Sequence, residues 1–102
     1  MKYFIYILYS EKSDIYYVGY TSNIDYRFSQ HNETSLDSFT SKHRPWKIMA
    51  LFLVGEVEAG AIRLERFIKK QKSIPFIKKL VDPDFIPTGA IAQLVRVPHL
   101  RD

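Results

Sequence analysis

Tyr3-Phe4-Ile5-Tyr6-Ile7-Leu8-Tyr9, then Ser10-Glu11-Lys12-Ser13-Asp14, then Ile15-Tyr16-Tyr17-Val18-Gly19-Tyr20 are the three consecutive stretches whose reading decides the fold. The first is aromatic and β-branched, the composition of a strand. It lacks polar alternation, which predicts cover on both faces. The second is a polar turn and the third another strand, so the two strands pair as an antiparallel hairpin. All seven tyrosines of the chain fall within its first 26 residues. Phe or Ile fills a strand core without a hydroxyl that needs a partner, so this crowding of phenols is the first sign of a site. Gly19 follows Tyr17 on the same strand face, and a glycine there marks a close approach by backbone or ligand.

Downstream, Thr21-Ser22-Asn23 offers N-cap side chains and Asp25 an acid for a first turn. A helix is predicted over residues 24–32, anchored to the sheet by Ile24 and Phe28. Arg27 and His31 share its i, i+4 spacing and so one face. Residues 33–45 are polar, end in Arg44-Pro45, and read as a loop. Residues 46–54 read as a third strand, broken by Gly55. A second helix is predicted over 57–72, with Val57, Ala61, Leu64 and Ile68 as its apolar stripe. Glu65 falls roughly 60° from the centre of that stripe at about 100° per residue, so it stands at the boundary of the buried face. A short third helix is predicted over 75–80, opened by Ser73 and Ile74-Pro75. The fold class is therefore α+β, a three-stranded antiparallel sheet flanked by helices.

The chain has 102 residues, enough for one domain with a core of modest size. It has no cysteine, which excludes disulfides, thiolate metal sites and a cysteine nucleophile. That suits a cytoplasmic protein. No apolar run reaches the length of a membrane span, so no membrane partner is expected, and the N-terminus reads as a strand rather than a signal peptide. The net charge is +4, unevenly placed. Residues 63–79 hold seven Lys or Arg against one acid, Glu65, whereas residues 1–62 sum to −1. So concentrated a basic stretch points to a polyanion, with a solvated lysine-rich helix face as the bland alternative.

Tyr6 and Tyr17 on the hairpin, Arg27 and His31 on the next helix and Glu65 on a later one form a kit suited to cutting a phosphodiester. Arg27 can stabilise charge on phosphoryl oxygens. Glu65 can hold one Mg²⁺ (or Mn²⁺), an ion that uses one or two carboxylates and keeps most of its waters. His31 or a tyrosine would move the proton. Each part also has a structural reading: a surface glutamate, a solvated Arg/His pair, core tyrosines with hydroxyls at the surface.

With these residues on the page, the chain resembles the GIY-YIG nuclease family. Phe4-Ile5-Tyr6 and Tyr17-Val18-Gly19 stand at the two motifs, and the stretch from Tyr17 to Asn32 resembles the second motif and its following helix closely. Arg44-Pro45-Trp46 and Ala61-Ile62-Arg63-Leu64-Glu65 are similar to the small single-domain members, which resemble the nuclease domain of the excision-repair incision subunit. The likeness covers about residues 2–80. It implies a sheet of three antiparallel strands flanked by helices, and metal-dependent hydrolysis of DNA phosphodiesters in repair or recombination. Glu65 matches the metal ligand and Arg27 the phosphate-stabilising arginine. Tyr6 and Tyr17 match the motif tyrosines, one of which activates the attacking water with His31 assisting. An ordinary phenol, with a pKa near 10, supplies little phenolate at neutral pH, so metal or arginine must help it.

Two departures stand out. The first motif glycine is Phe4 here. Several family enzymes also place an asparagine after the catalytic glutamate, whereas this chain has no Asn beyond Asn32. That leaves the role either vacant or filled by another group among Lys69 to Lys79. The expected grip on DNA, branched or flapped forms included, is through Lys69, Lys70, Lys72, Lys78 and Lys79, contacts that give affinity without sequence reading. A recruiting protein or self-association would add selectivity. The competing reading is a nucleic-acid-binding module with a vestigial site; a weaker one is a surface for an acidic protein. Residues 88–102 have little in common with the rest. Ala92-Gln93-Leu94-Val95-Arg96 can be encoded by a string resembling the D-arm of a transfer-RNA gene. The expectation is a 1–87 domain followed by a read-through tail without function.

Overall fold

The computed structural model describes residues 1–34 and 38–98. β1 (Tyr3–Ser10) and β2 (Ile15–Thr21) form the expected hairpin, with Asp14 at φ 52° closing its turn. β1 also pairs antiparallel with β3 (Trp46–Gly55), so it is the centre of the sheet. This explains its unbroken apolar run: Ile5 and Ile7 are buried on one face, Tyr6 and Leu8 on the other.

The two faces have different covers. On one, Ile5, Ile7, Val18, Ala50 and Phe52 pack against Leu64 and Ile68 of α3 (Glu58–Lys70) and Ile77 and Leu80 of α4 (Ile74–Val81). On the other, Tyr6, Leu8, Trp46 and Leu51 meet Ile24 and Phe28 of α1 (Ile24–Ser29). β3 serves both because its register against β1 slips by one residue between Ile7 and Leu8. Ile48 pairs with Leu8 and Ala50 with Ile7, leaving Met49 as the extra residue of a bulge.

Several expectations change. The predicted helix over 24–32 is α-helical only to Ser29 and continues as a π turn, Gln30–Thr34. The loop over 33–45 contains a short helix, α2 (Ser38–Lys42). Val57 is not part of the apolar stripe; it stands 68% exposed at the N-cap, ahead of the buried Ala61, Leu64 and Ile68. Lys72 adopts φ 48° just past α3. Asn23 and Ser73 cap their helices, their side chains accepting from the backbone N–H of Tyr26 and Phe76.

The sheet has four strands rather than three, in the order β2-β1-β3-β4, with β4 being Val95–Arg96. Residues beyond the 1–87 boundary thus pack on the sheet and its helices. A 3₁₀ turn (Gly89–Ile91) and β4 bring Ile91 and Leu94 into the core, 5% and 4% exposed. Arg96 donates to the carbonyls of Leu80 and Asp82, each at 2.8 Å, and stacks over Phe52. Among the described residues no helix is long and apolar enough to cross a membrane.

Candidate active site

The hairpin register places Tyr6 opposite Gly19. A Cβ at Gly19 would stand 2.3 Å from the Tyr6 hydroxyl and 2.4 Å from its Cζ. The ring of Tyr6 lies across the neighbouring strand, in the space a side chain would fill. Glycine is required here by that approach, as the strand glycine suggested. The phenol thus reaches α1, where Arg27 Nε donates to its oxygen at 3.4 Å. His31 Nε2 is 2.9 Å from the same oxygen. With the hydroxyl accepting from Arg27, its own proton is available to His31.

Arg27 and His31, four residues apart and so on one face, meet this one atom, Arg27 from α1 and His31 from the π turn that follows it. His31 is 1% exposed and Tyr6 likewise 1%. Neither is the solvated surface group that a helix face or strand edge allowed. Tyr17, on the edge strand, and Arg27 are only partly covered. The Tyr17 ring lies 4.9 Å from that of His31, edge-on, and 6.4 Å from that of Tyr6. Burial raises the Tyr6 pKa to about 12, against the opposing hydrogen bond and charge of Arg27. Burial also works against the charge on Arg27, but its hydrogen bond to Tyr6 and the nearby Tyr17 phenol prevail and raise its pKa.

Glu65 comes to the site from the other side of the sheet. α3 crosses near the β2 edge, so a residue at the rim of its buried stripe overlooks Tyr17. The Glu65 side chain is 17% exposed, as its boundary position predicted, and its charge is felt by Tyr6. Lys69, one turn on, lies 3.3 Å from the Glu65 carboxylate and 5.5 Å from the Tyr17 ring centroid, a cation–π contact. Of the five lysines expected to bind nucleic acid, Lys69 is thus part of the site and Lys72 borders a groove beside it. Lys70, Lys78 and Lys79 are exposed on the outer surfaces of α3 and α4.

The residues that hold this arrangement were missed as a group. Asn32 donates through Nδ2 to the Trp46 carbonyl at 3.1 Å and accepts the Trp46 N–H at 2.6 Å. This pair ties the π turn to the start of β3. Arg44 Nε donates to the His31 carbonyl at 2.8 Å, and Trp46 Nε1 to the Thr40 carbonyl at 2.9 Å. In the sequence Arg44-Pro45 reads as a loop end and Arg44-Pro45-Trp46 as part of the likeness; in the structure Arg44 braces His31. No periodicity marks it, because its partners lie well away along the chain.

Among the described residues no three His, Asp or Glu side chains converge. The donor set at the site is one partly covered carboxylate, Glu65. That fits an ion which keeps its waters and shares a substrate phosphate, not one needing a full protein cage.

A phenol pair, a guanidinium and an imidazole thus gather beside one face of the sheet of an α+β protein, with one carboxylate near them. Residues 2–76 match the family model of the GIY-YIG catalytic domain, and the chain belongs to this family of nucleases. A comparison with curated proteins found no match.

Proposed function

We propose that this protein is a metal-dependent endonuclease that hydrolyses DNA phosphodiesters and acts in repair or recombination. The observation that carries the reading is the convergence of Arg27 and His31 on the Tyr6 hydroxyl, made possible by Gly19 and opening onto Tyr17. Tyr6 and His31 are too buried to meet substrate, so their part is to position. Arg27 binds the scissile phosphate and holds positive charge against its oxygens. Tyr17, the more accessible phenol, would act on the attacking water as its phenolate, its own proton first given to solvent. Glu65 would hold Mg²⁺ or Mn²⁺, and Lys69, which neutralises Glu65 here, would turn toward a phosphate instead. When bound, the ion would share the charge of the scissile phosphate and the leaving oxygen.

The test is incubation of the purified chain with labelled duplex, branched and flapped DNA in Mg²⁺, Mn²⁺ or EDTA. Glu65→Ala and Arg27→Ala are run in parallel. Cutting that needs metal and disappears in both folded variants is the expected result. Cutting that continues undiminished in both removes the assignment of the site. Salt-sensitive binding with no cutting of any form would favour the module reading, a vestigial site beside a basic helix.

A further inference from the structure

Arg27 lines one pocket with Tyr20 and Thr21, while a separate groove of about 380 Å³ opens beside Tyr17. That volume falls within the range of about 300–1,000 Å³ typical of small-ligand sites. Tyr16 and Tyr17 of β2, Phe39 of α2 and Ile74 of α4 line it, with Lys69 and Lys72 beside them. Phe39 is 46% exposed and Ile74 53%, so apolar surface is left open to water. The Tyr17 and Phe39 rings stand 6.2 Å apart. No carboxylate is among the described lining residues.

An aromatic floor with two ammonium groups beside it, Lys69 paired to Glu65 behind it and Lys72 at its rim, has the chemistry of a single-stranded nucleotide site. Bases stack on the rings and the backbone phosphate pairs with lysine. A base within a duplex is already stacked and cannot enter. An acidic peptide would leave the aromatic floor unused, and an apolar one would make no use of Lys72. Tyr17 belongs to both the groove and the site, so a base seated in the groove lies next to the phosphate held at the site.

We infer that this groove seats one unpaired nucleobase of the strand being cut, so that the preferred substrate is duplex DNA with an unpaired nucleotide beside the scissile phosphate. The inference rests on the nuclease reading above and names its substrate class. It is tested with the full chain by fluorescence anisotropy in EDTA. The probes are a labelled blunt duplex, the same duplex with a short single-stranded tail, and the tailed duplex made abasic at its first unpaired position.

The wild type should prefer the tailed duplex by about tenfold, the size of one base–aromatic stack, and the abasic probe should lose that preference. Phe39→Ala should lose it too and become indifferent to the abasic change; Phe39→Trp should restore both. Thermal melts of the same samples check that each variant is folded. Two results overturn the inference: an abasic probe bound as well as the intact tail, or Phe39→Ala keeping the wild-type preference. The groove would then belong to a protein partner. The same probes in Mg²⁺ separate the two readings. Cutting without any abasic effect removes the groove assignment alone. An abasic effect without cutting removes the nuclease reading and keeps the nucleotide site. No binding to any probe removes both.

Discussion

At Gly19 the space for a side chain is taken by the phenol of Tyr6, and this one steric fact ties the hairpin to the chemistry. Gly19→Ala puts a methyl 2.3 Å from the Tyr6 hydroxyl and 2.4 Å from Cζ. Overpacking of this kind costs about 1–3 kcal/mol, and urea denaturation should register at least that. Adding Tyr6→Phe should not relieve the cost, because the ring carbon clashes as well as the oxygen. Rescue by the double variant would show that the hydroxyl alone was displaced. Tyr6→Phe by itself keeps the ring but removes the oxygen on which Arg27 and His31 converge, so cleavage should fall by roughly a hundredfold or more. It should also change the alkaline limb of stability. Burial raises the Tyr6 pKa from its usual 10 to about 12, so folding favours the neutral phenol. That contribution, on the order of 2 kcal/mol, is complete below about pH 10 and lost as pH rises towards 12. Tyr9, bonded to Asp14, is also raised to about 12. The difference between wild type and Tyr6→Phe isolates Tyr6: the variant should lose less stability between pH 10 and 12. Equal losses in the two would mean that the buried phenol is not what titrates.

Among the elements, the π turn carries both His31 and Asn32, and Asn32 ties it to the start of β3. Asn32 satisfies both backbone groups of Trp46, so Asn32→Ala leaves a partly buried N–H and C=O without these partners. The expected cost is about 1–3 kcal/mol in denaturant titration, with loss of cleavage as His31 shifts from Tyr6. Wild-type activity in a destabilised variant would separate this brace from the site. These elements also mark what a linear reading can and cannot reach. The hairpin, α3 and α4 were legible because strand composition, turn residues, helical spacing and caps all act over a few residues. So was the place of Glu65 at the rim of the stripe, where its side chain is 17% exposed. The π turn, α2 and β4 were not. Each is five residues or fewer and is held by distant partners: His31 by Arg44, Trp46 by Thr40, Val95 and Arg96 by β3. The apolar run of β1 predicted cover over Tyr6, but no local pattern could show that His31 is buried as well.

For the molecule as a whole, the question is what closes the core on the side away from the site. α3 and α4 cover most of that sheet face, and the remaining gap is filled from residues 89–97. Ile91 and Leu94 join the cluster of Phe52, Ile77 and Leu80, while Arg96 satisfies the carbonyls of Leu80 and Asp82 at the end of α4. Burying two such side chains is worth about 1.5–3 kcal/mol each. A domain of this size is stable by only about 5–15 kcal/mol. Ending the chain after Pro87 removes both side chains, a sheet edge and the partners of two helix-terminal carbonyls. The shortened protein should therefore lose several kcal/mol, with its melting temperature lowered by more than 10 °C at about 4–8 °C per kcal/mol. It should also bind a dye that reports exposed apolar surface. Whatever DNA encodes them, these residues then act as structure, and they lie on the far side of the sheet from Tyr6 and Arg27. Cleavage measured well below the lowered melting temperature should therefore be kept, while stability is lost. A truncated protein that melts with the full chain would restore the 1–87 boundary. One that stays folded but no longer cuts would mean that the sheet edge transmits its order to the site.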